Sequence, residues 1–144
     1  MILLDTNVAV WLVTKSEALH QTCVDACARL VTSGEILVVS AQVLAESWSL
    51  LTRPIANTGG FGLSPAEANV RITELLTSAT ILPEPANIWD EHRHLLLTHA
   101  VSGVNVHDCR LAAWCRLRGV ERILTLNSAH FKRFGIAAVH PNEV

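Results

Sequence analysis

"MILLDTNVAV" (residues 1–10) decides how the rest of this chain is read. Ile2, Leu3 and Leu4 are apolar without alternation, which suits a strand covered on both faces. The carboxylate of Asp5 follows directly, and helical apolar spacing begins at about Asn7. Asp5 therefore stands at the carboxyl end of an expected strand, where open parallel sheets collect their ligands. A lone Asp there has two readings: a helix N-cap or a group that carries chemistry. The remaining sequence must separate them.

The strand-then-helix unit recurs. "EALHQTCVDACARLVTSG" (17–34) sets Leu19, Cys23, Ala26, Cys27 and Leu30 at helical spacing and stops at Gly34. "EILVVS" (35–40) reads as a strand, and "AQVLAESWSLLTR" (41–53) as a helix halted by Pro54. Residues 54–63 form a loop with Gly59, Gly60 and Gly62. Ser64, Pro65 and Glu67 make a capping box that opens a helix running to about Ser78. A strand follows over 79–83, then helices over 86–100 and 107–119. "RILTL" (122–126) is a strand, 128–134 a short helix, and the last strand lies around 136–140. The alternation predicts an α/β fold, a three-layer α/β/α sandwich with a central, mostly parallel sheet. No repeat, linker or low-complexity tract divides residues 1–144, so one domain is expected.

Half of the 144 residues are hydrophobic and 17% are charged, which excludes a disordered chain. No apolar run approaches the ~20 residues that span a bilayer. Asp5 interrupts the first apolar stretch, and no basic start precedes it, unlike a secretory leader. A cytoplasmic location with no membrane partner is expected. Cys23, Cys27, Cys109 and Cys115 form no CxxC pair. His20 shares a helical face with Cys23 and Cys27, so zinc is one reading there and ordinary core packing the other. The net charge of −2 argues against nonspecific nucleic-acid binding. Its distribution is uneven. Residues 1–100 hold 5 Lys/Arg against 10 Asp/Glu, whereas residues 101–144 hold 6 against 3. The basic final third is either a surface for a polyanion or the solvated face of helices.

Polar residues at the carboxyl ends of the expected strands are few. Asp5 follows the first strand and Asn127 the "RILTL" strand. Glu46 lies in the second turn of the helix after "EILVVS", among Val43, Leu44, Leu50 and Leu51. Asp108 begins the helix "HDCRLAAW", with Leu111, Ala112 and Cys115 on its face. A cap or first-turn role accounts for Asp5 or Asp108 singly. Glu46 is harder to explain that way, because acids at a buried boundary are paired or bound to a cation. Three acids gathered at one sheet end repel one another, and a divalent cation relieves that. Oxygen donors without a His/Cys cluster select Mg²⁺ or Mn²⁺ over zinc.

These residues carry a resemblance. "LLDTNV", "SAQVLAESWSLLTRP" and "VHDCRLAAWCRLRGVERILTLNSAHFKRF", in that order and over nearly the whole chain, resemble the PIN-domain ribonucleases, specifically the VapC toxins of type II toxin–antitoxin pairs. The resemblance implies a small α/β/α sandwich and Mg²⁺- or Mn²⁺-dependent endoribonuclease activity leaving a 5′-phosphate and a 3′-hydroxyl. It implies a catalytic set of Asp5, Glu46, Asp108 and Asn127. Asp5 and Asp108 would ligate the metal directly, with Glu46 acting through water or as a base. Thr6 would support the site by hydrogen bonding, and Arg110 and His130 would contact the RNA backbone. Asn127 stands where many relatives have a fourth acid, and His130 where many have an Asp before the Phe. One well-ordered ion is expected for that reason, with a second depending on the RNA. The implied partners are the RNA substrate, a cognate antitoxin that inserts a basic side chain into the acidic site, and a second copy in a homodimer.

Two rivals remain at this level. One is a non-catalytic PIN-like RNA-binding or regulatory module, favoured by Asn127 and His130. The other is a dehalogenase-like phosphatase with Asp5 as nucleophile. That chemistry wants an Asp two positions on, where this chain has Asn7. His107 neighbours Asp108, and a structural role is expected for it. His92 and His94 do not share a helix face and are assigned no metal. Trp11, Trp48, Trp89 and Trp114 are expected in core or interface.

Overall fold

The computed structural model describes residues 1–15, 18–56 and 59–144. Among these, five strands form one sheet: β1 Ile2–Leu4, β2 Leu37–Val39, β3 Thr80–Ile81, β4 Arg122–Leu124 and β5 Ala137–Val139. The order is β3-β2-β1-β4-β5 and every pairing is parallel. In the register, Leu3 lies between Val38 and Ile123. The helices are α1 Thr6–Val13, α2 Ala18–Thr32, α3 Ala41–Thr52, α4 Pro65–Leu75, α5 Ile88–Thr98 and α6 Asn105–Arg118.

The chain builds outward from β1 through β2 to β3, then reverses to place β4 on the other side of β1. Right-handed crossovers then put α1–α4 on one face and α5–α6 on the other. The contacts agree, since α1 packs against α2, α3 and α4, and α5 against α6. The expected three-layer α/β/α architecture is the one observed. All three residues of β1 are fully buried, as the non-alternating apolar run required. Val8, Cys23, Leu51 and Leu75 fill one layer, and Leu95, Leu111 and Trp114 the other. No helix among the described residues is long and apolar enough to cross a membrane.

Boundaries moved for local reasons. The strand expected over 35–40 ends at Val39, because Ser40 turns out to cap α3, accepting a hydrogen bond from the Val43 amide at 3.2 Å. The strand expected over 79–83 is only Thr80–Ile81, at the sheet edge just before Pro83. The short helix over 128–134 is two 3₁₀ turns, Ser128–His130 and Lys132–Phe134, stopped by Gly135 at φ 72°. α6 starts at Asn105, which puts Asp108 in its first turn. The Ser64–Glu67 capping box is present as read, with Pro65 in the first helical position. All four cysteines are buried and free. Burial pushes the thiols of Cys27 and Cys115 up to about 12, so they stay protonated core groups.

The loop after α3 satisfies that helix's last carbonyls. Phe61, Gly62 and Leu63 donate their amides to Leu50, Arg53 and Leu51 at 3.1, 2.8 and 2.9 Å. Gly60 is required for this approach. A Cβ on it would stand 2.1 Å from the Arg53 carbonyl oxygen. Gly60→Ala is therefore expected to lower the unfolding free energy by about 1–3 kcal/mol, the range for overpacking. Urea titration measures this, and an unchanged midpoint would refute the close-packing argument.

Candidate active site

The site begins where β1 ends. The Asp5 amide donates to the Leu124 carbonyl at 3.0 Å, carrying the β1–β4 ladder one residue past the strand. α1 starts at the next residue, with Asp5 as its N-cap. The Asp5 Oδ1 accepts from the Thr6 amide at 2.7 Å. Its Oδ2 accepts from the Thr125 hydroxyl and from the Asn7 amide nitrogen Nδ2, both at 2.6 Å. Asn7 also accepts from the Leu126 amide at 3.0 Å. The Thr125 hydroxyl in turn accepts from the Asn127 amide at 3.0 Å. The turns after β1 and β4 are thus laced together at the point where the sheet order reverses, the crevice that open α/β sheets use for ligands. The two readings of Asp5 are not exclusive, since one oxygen caps the helix and the other is held across the switch point.

Asp5 is only 6% exposed. Burial pushes its carboxyl up to about 6, against the pull of the Thr125 hydroxyl and the Thr6 amide. The charges of Asp108 and Glu46 add to the rise. Glu46 sits on α3, where Thr6 Oγ1 donates to its Oε2 at 2.7 Å and Gln42 Nε2 to its Oε1 at 2.8 Å. His107 Nδ1 lies 3.5 Å from the same Oε1. The Asp108 Oδ2 accepts from His130 Nδ1–H at 2.9 Å. The structure therefore brings Asp5, Thr6, Glu46, Asp108 and His130 to one end of the sheet, with His107 beside Glu46. A cleft of about 360 Å³ adjoins them, lined by Thr6, Glu46, Ser49, Leu50, Arg53 and His107.

Two expected participants stand differently. Asn127 is exposed, and its side chain makes no hydrogen bond to the three acids among the described residues. Arg110, partly exposed, is held by protein acceptors, donating to Gln42 Oε1 at 2.7 Å and Glu84 Oε1 at 2.9 Å. Asn7, Gln42 and Thr125 complete the site, yet none was read as part of it. A threonine within the apolar run "RILTL" is a faint signal, and Thr125 proves fully buried just past β4. The basic final third also proves partly paired with acids. Arg110 faces Glu84, Arg116 faces Glu91 and Arg122 faces Glu35. Of the tryptophans, Trp114 is core and Trp11 packs edge-on to Phe61, while Trp48 and Trp89 are exposed.

Among the described residues no three His, Cys, Asp or Glu side chains form a ready-made metal cage. The donor chemistry still fits Mg²⁺. That ion is held by one or two carboxylates and keeps several waters, so it needs no all-protein cage. A buried Asp5 whose carboxyl is raised partly by two neighbouring acids is a group that a cation would relieve.

The PIN domain family model matches residues 2–137, and the chain belongs to that family. Solved structures share the fold. VapBC-1 from nontypeable Haemophilus influenzae aligns with a TM-score of 0.69 at 19% identity, over 99% of each chain. VapBC2 from Rickettsia felis, solved with a DNA fragment from their promoter, gives 0.69 at 18%, over 97% of this chain and 98% of that one. The sarcin–ricin-loop-cleaving toxin VapC20 of Mycobacterium tuberculosis gives 0.60 at 22%, over 85% and 87%. No curated protein matches by sequence.

The position of Asp5 has a consequence for stability. Its folded pKa lies above its unfolded one, so the folded state binds the extra proton. Stability on this account is fully present below about pH 4 and lost as pH rises through about 6, by about 3 kcal/mol at neutrality. Urea unfolding of wild type and Asp5→Asn in chelator, from acid to neutral pH, measures it. The Asn variant should gain on wild type by about this amount across the range. A pH-independent difference would refute the assignment.

Proposed function

We propose that the chain is a metal-dependent endoribonuclease and the toxin of a type II toxin–antitoxin pair. The observation that carries this is Asp5, buried at the switch point, its carboxyl raised chiefly by that burial and further by the charges of Asp108 and Glu46. Asp5 and Asp108 would hold Mg²⁺ or Mn²⁺. When bound, the ion would offset charge on a phosphodiester and lower the pKa of a water. Thr6 holds one Glu46 oxygen, keeping that carboxylate aimed as base or water-bridged ligand. His130, half exposed on Asp108, offers its remaining ring nitrogen to the RNA backbone. The cleft beside Glu46 supplies an apolar floor in Leu50 and cationic or hydrogen-bonding groups in Arg53 and His107, which suits a strand flanking the scissile phosphate. Asn127, exposed and with no side-chain hydrogen bond to the acids, is given no step.

The non-catalytic alternative draws on one observation, that Asp108 and Glu46 already have histidine neighbours. Cleavage of purified tRNA and rRNA with Mg²⁺ or chelator separates the readings. Asp5→Asn and Asp108→Asn should each lower cleavage by about 100-fold or more. Equal cleavage by wild type and Asp5→Asn would overturn the nuclease reading.

An antitoxin is the proposed protein partner, and solved neighbours from Haemophilus influenzae, Rickettsia felis and Neisseria gonorrhoeae are VapBC or FitAB-type complexes. An apolar groove of about 600 Å³, lined by Leu12, Val24, Cys27, Val31 and Leu75 with Lys15 at its rim, fits the apolar face of an amphipathic helix. A homodimer is proposed through exposed Trp89, Leu97 and Val104, and a cytoplasmic location goes with this role. Ala28 lines the groove on its exposed side. Ala28→Arg should abolish neutralisation by the co-expressed antitoxin while RNA cleavage is retained, as growth rescue and cleavage assays would read. Full rescue would refute the groove as the docking site.

A further inference from the structure

Gln42 lies one helical turn before Glu46 on α3, so the two side chains share a face. Its amide is read in one orientation only. Arg110 Nη1 donates to Gln42 Oε1 at 2.7 Å, and a guanidinium has no acceptor to offer. The oxygen must therefore face Arg110, and the NH₂ must face away from it. There Nε2 donates to Glu46 Oε1 at 2.8 Å and to the His107 carbonyl at 3.0 Å. Thr6 holds the other Glu46 oxygen at 2.7 Å. Arg110 is fixed from its far side by Glu84, at 2.9 Å. Both oxygens of Glu46 are thus gripped, one from α1 and one from α3. The α3 grip is set by a cation on α6, two residues beyond Asp108.

We propose that Arg110 and Gln42 are positioning residues, which fix the Glu46 carboxylate relative to Asp108, and that Arg110 is not an RNA-phosphate contact. Its charge is matched by Glu84, and Gln42 and Glu84 fix both of its terminal nitrogens. The link also joins α3 to the start of α6, through the His107 carbonyl and Arg110 together. For its consequence in metal binding, the inference rests on the nuclease reading. The clamp itself does not.

Three measurements on the full chain test it. In metal-free protein, the Gln42 side-chain amide resonances in a ¹H–¹⁵N spectrum should move in both Arg110→Met and Glu46→Gln. Resonances indifferent to Arg110→Met overturn the clamp whatever the enzyme does. By calorimetry, Gln42→Met and Arg110→Met should each weaken Mn²⁺ binding by about 10-fold or more, as partners of metal-site carboxylates do. The double variant should be no worse than the weaker-binding single, because the two act as one unit. Arg110→Lys, which keeps the charge and loses the fork, should restore little. Unchanged Mn²⁺ affinity in Arg110→Met, in a variant that melts like wild type, overturns the proposal. Equal Mn²⁺ affinity in wild type and Asp5→Asn overturns the metal reading instead, and the amide signal then judges the clamp alone. Finally, the salt dependence of bulk tRNA binding in chelator should keep its slope in Arg110→Met. A slope reduced by about one would make Arg110 a phosphate contact and refute its assignment.

Discussion

The carboxylate of Asp5 is the constraint on which this end of the molecule is built. It stops β1, starts α1, and takes the hydroxyl of Thr125 from the turn after β4. Asn7 closes the same ring by donating to Asp5 and accepting from the Leu126 amide. The two strands on either side of the switch point are therefore joined beyond their ladders by side chains. A buried acid is an expensive way to do this. Three hydrogen bonds to it soften the cost and do not remove it, because its carboxyl still lies well above the ordinary range. An Asn could cap the same helix without that cost. The retained charge points to a task that needs a charge.

Glu46 and Asp108 sharpen the argument. Each is supplied by a separate crossover on opposite faces of the sheet, and both add to the rise at Asp5. Their own neighbours differ. Glu46 is fastened by neutral donors from Thr6 and Gln42, whereas Asp108 meets His130 near the surface. Glu46 is held at both oxygens, and Asp108 by one histidine.

Much of this was legible in the sequence, and the reason is geometric. Asp5, Glu46 and Asp108 could be placed because each has a fixed offset from a strand or helix that its own neighbours define. The non-alternating "ILL" read as a strand covered on both faces, and β1 is fully buried; that it is the middle of five comes from the structure. What stayed hidden depends on lateral order. Thr125 touches Asp5 across 120 positions, and Gln42 touches Arg110 across 68. Those contacts exist only once β4 lies beside β1 and the first turns of α3 and α6 meet at the carboxyl end of the sheet, which no local pattern states. The same gap explains the charge asymmetry. An acidic first part and a basic last part invited a polyanion, but three of the six bases meet acids from the first hundred residues across the fold. Strand ends were overcalled for a different reason, since Ser40 and Pro83 serve the next segment and cannot also serve the ladder.

The pairing of those bases bears on how RNA would be received. With Arg110, Arg116 and Arg122 each meeting an acid, the pull of the basic final third on a polyanion is weakened. Around the acids, Asp5, Glu46 and Asp108 face His107 and His130, with Arg53 in the adjoining cleft, while Glu84 is offset by Arg110. RNA and a divalent cation would then each lower the electrostatic cost of the other, and linkage makes the effect reciprocal. On the nuclease reading the acidic centre is thus a gate as well as a catalyst. Without the cation it would weaken the hold on its own substrate, and a basic side chain from a protein partner would satisfy it in the cation's place.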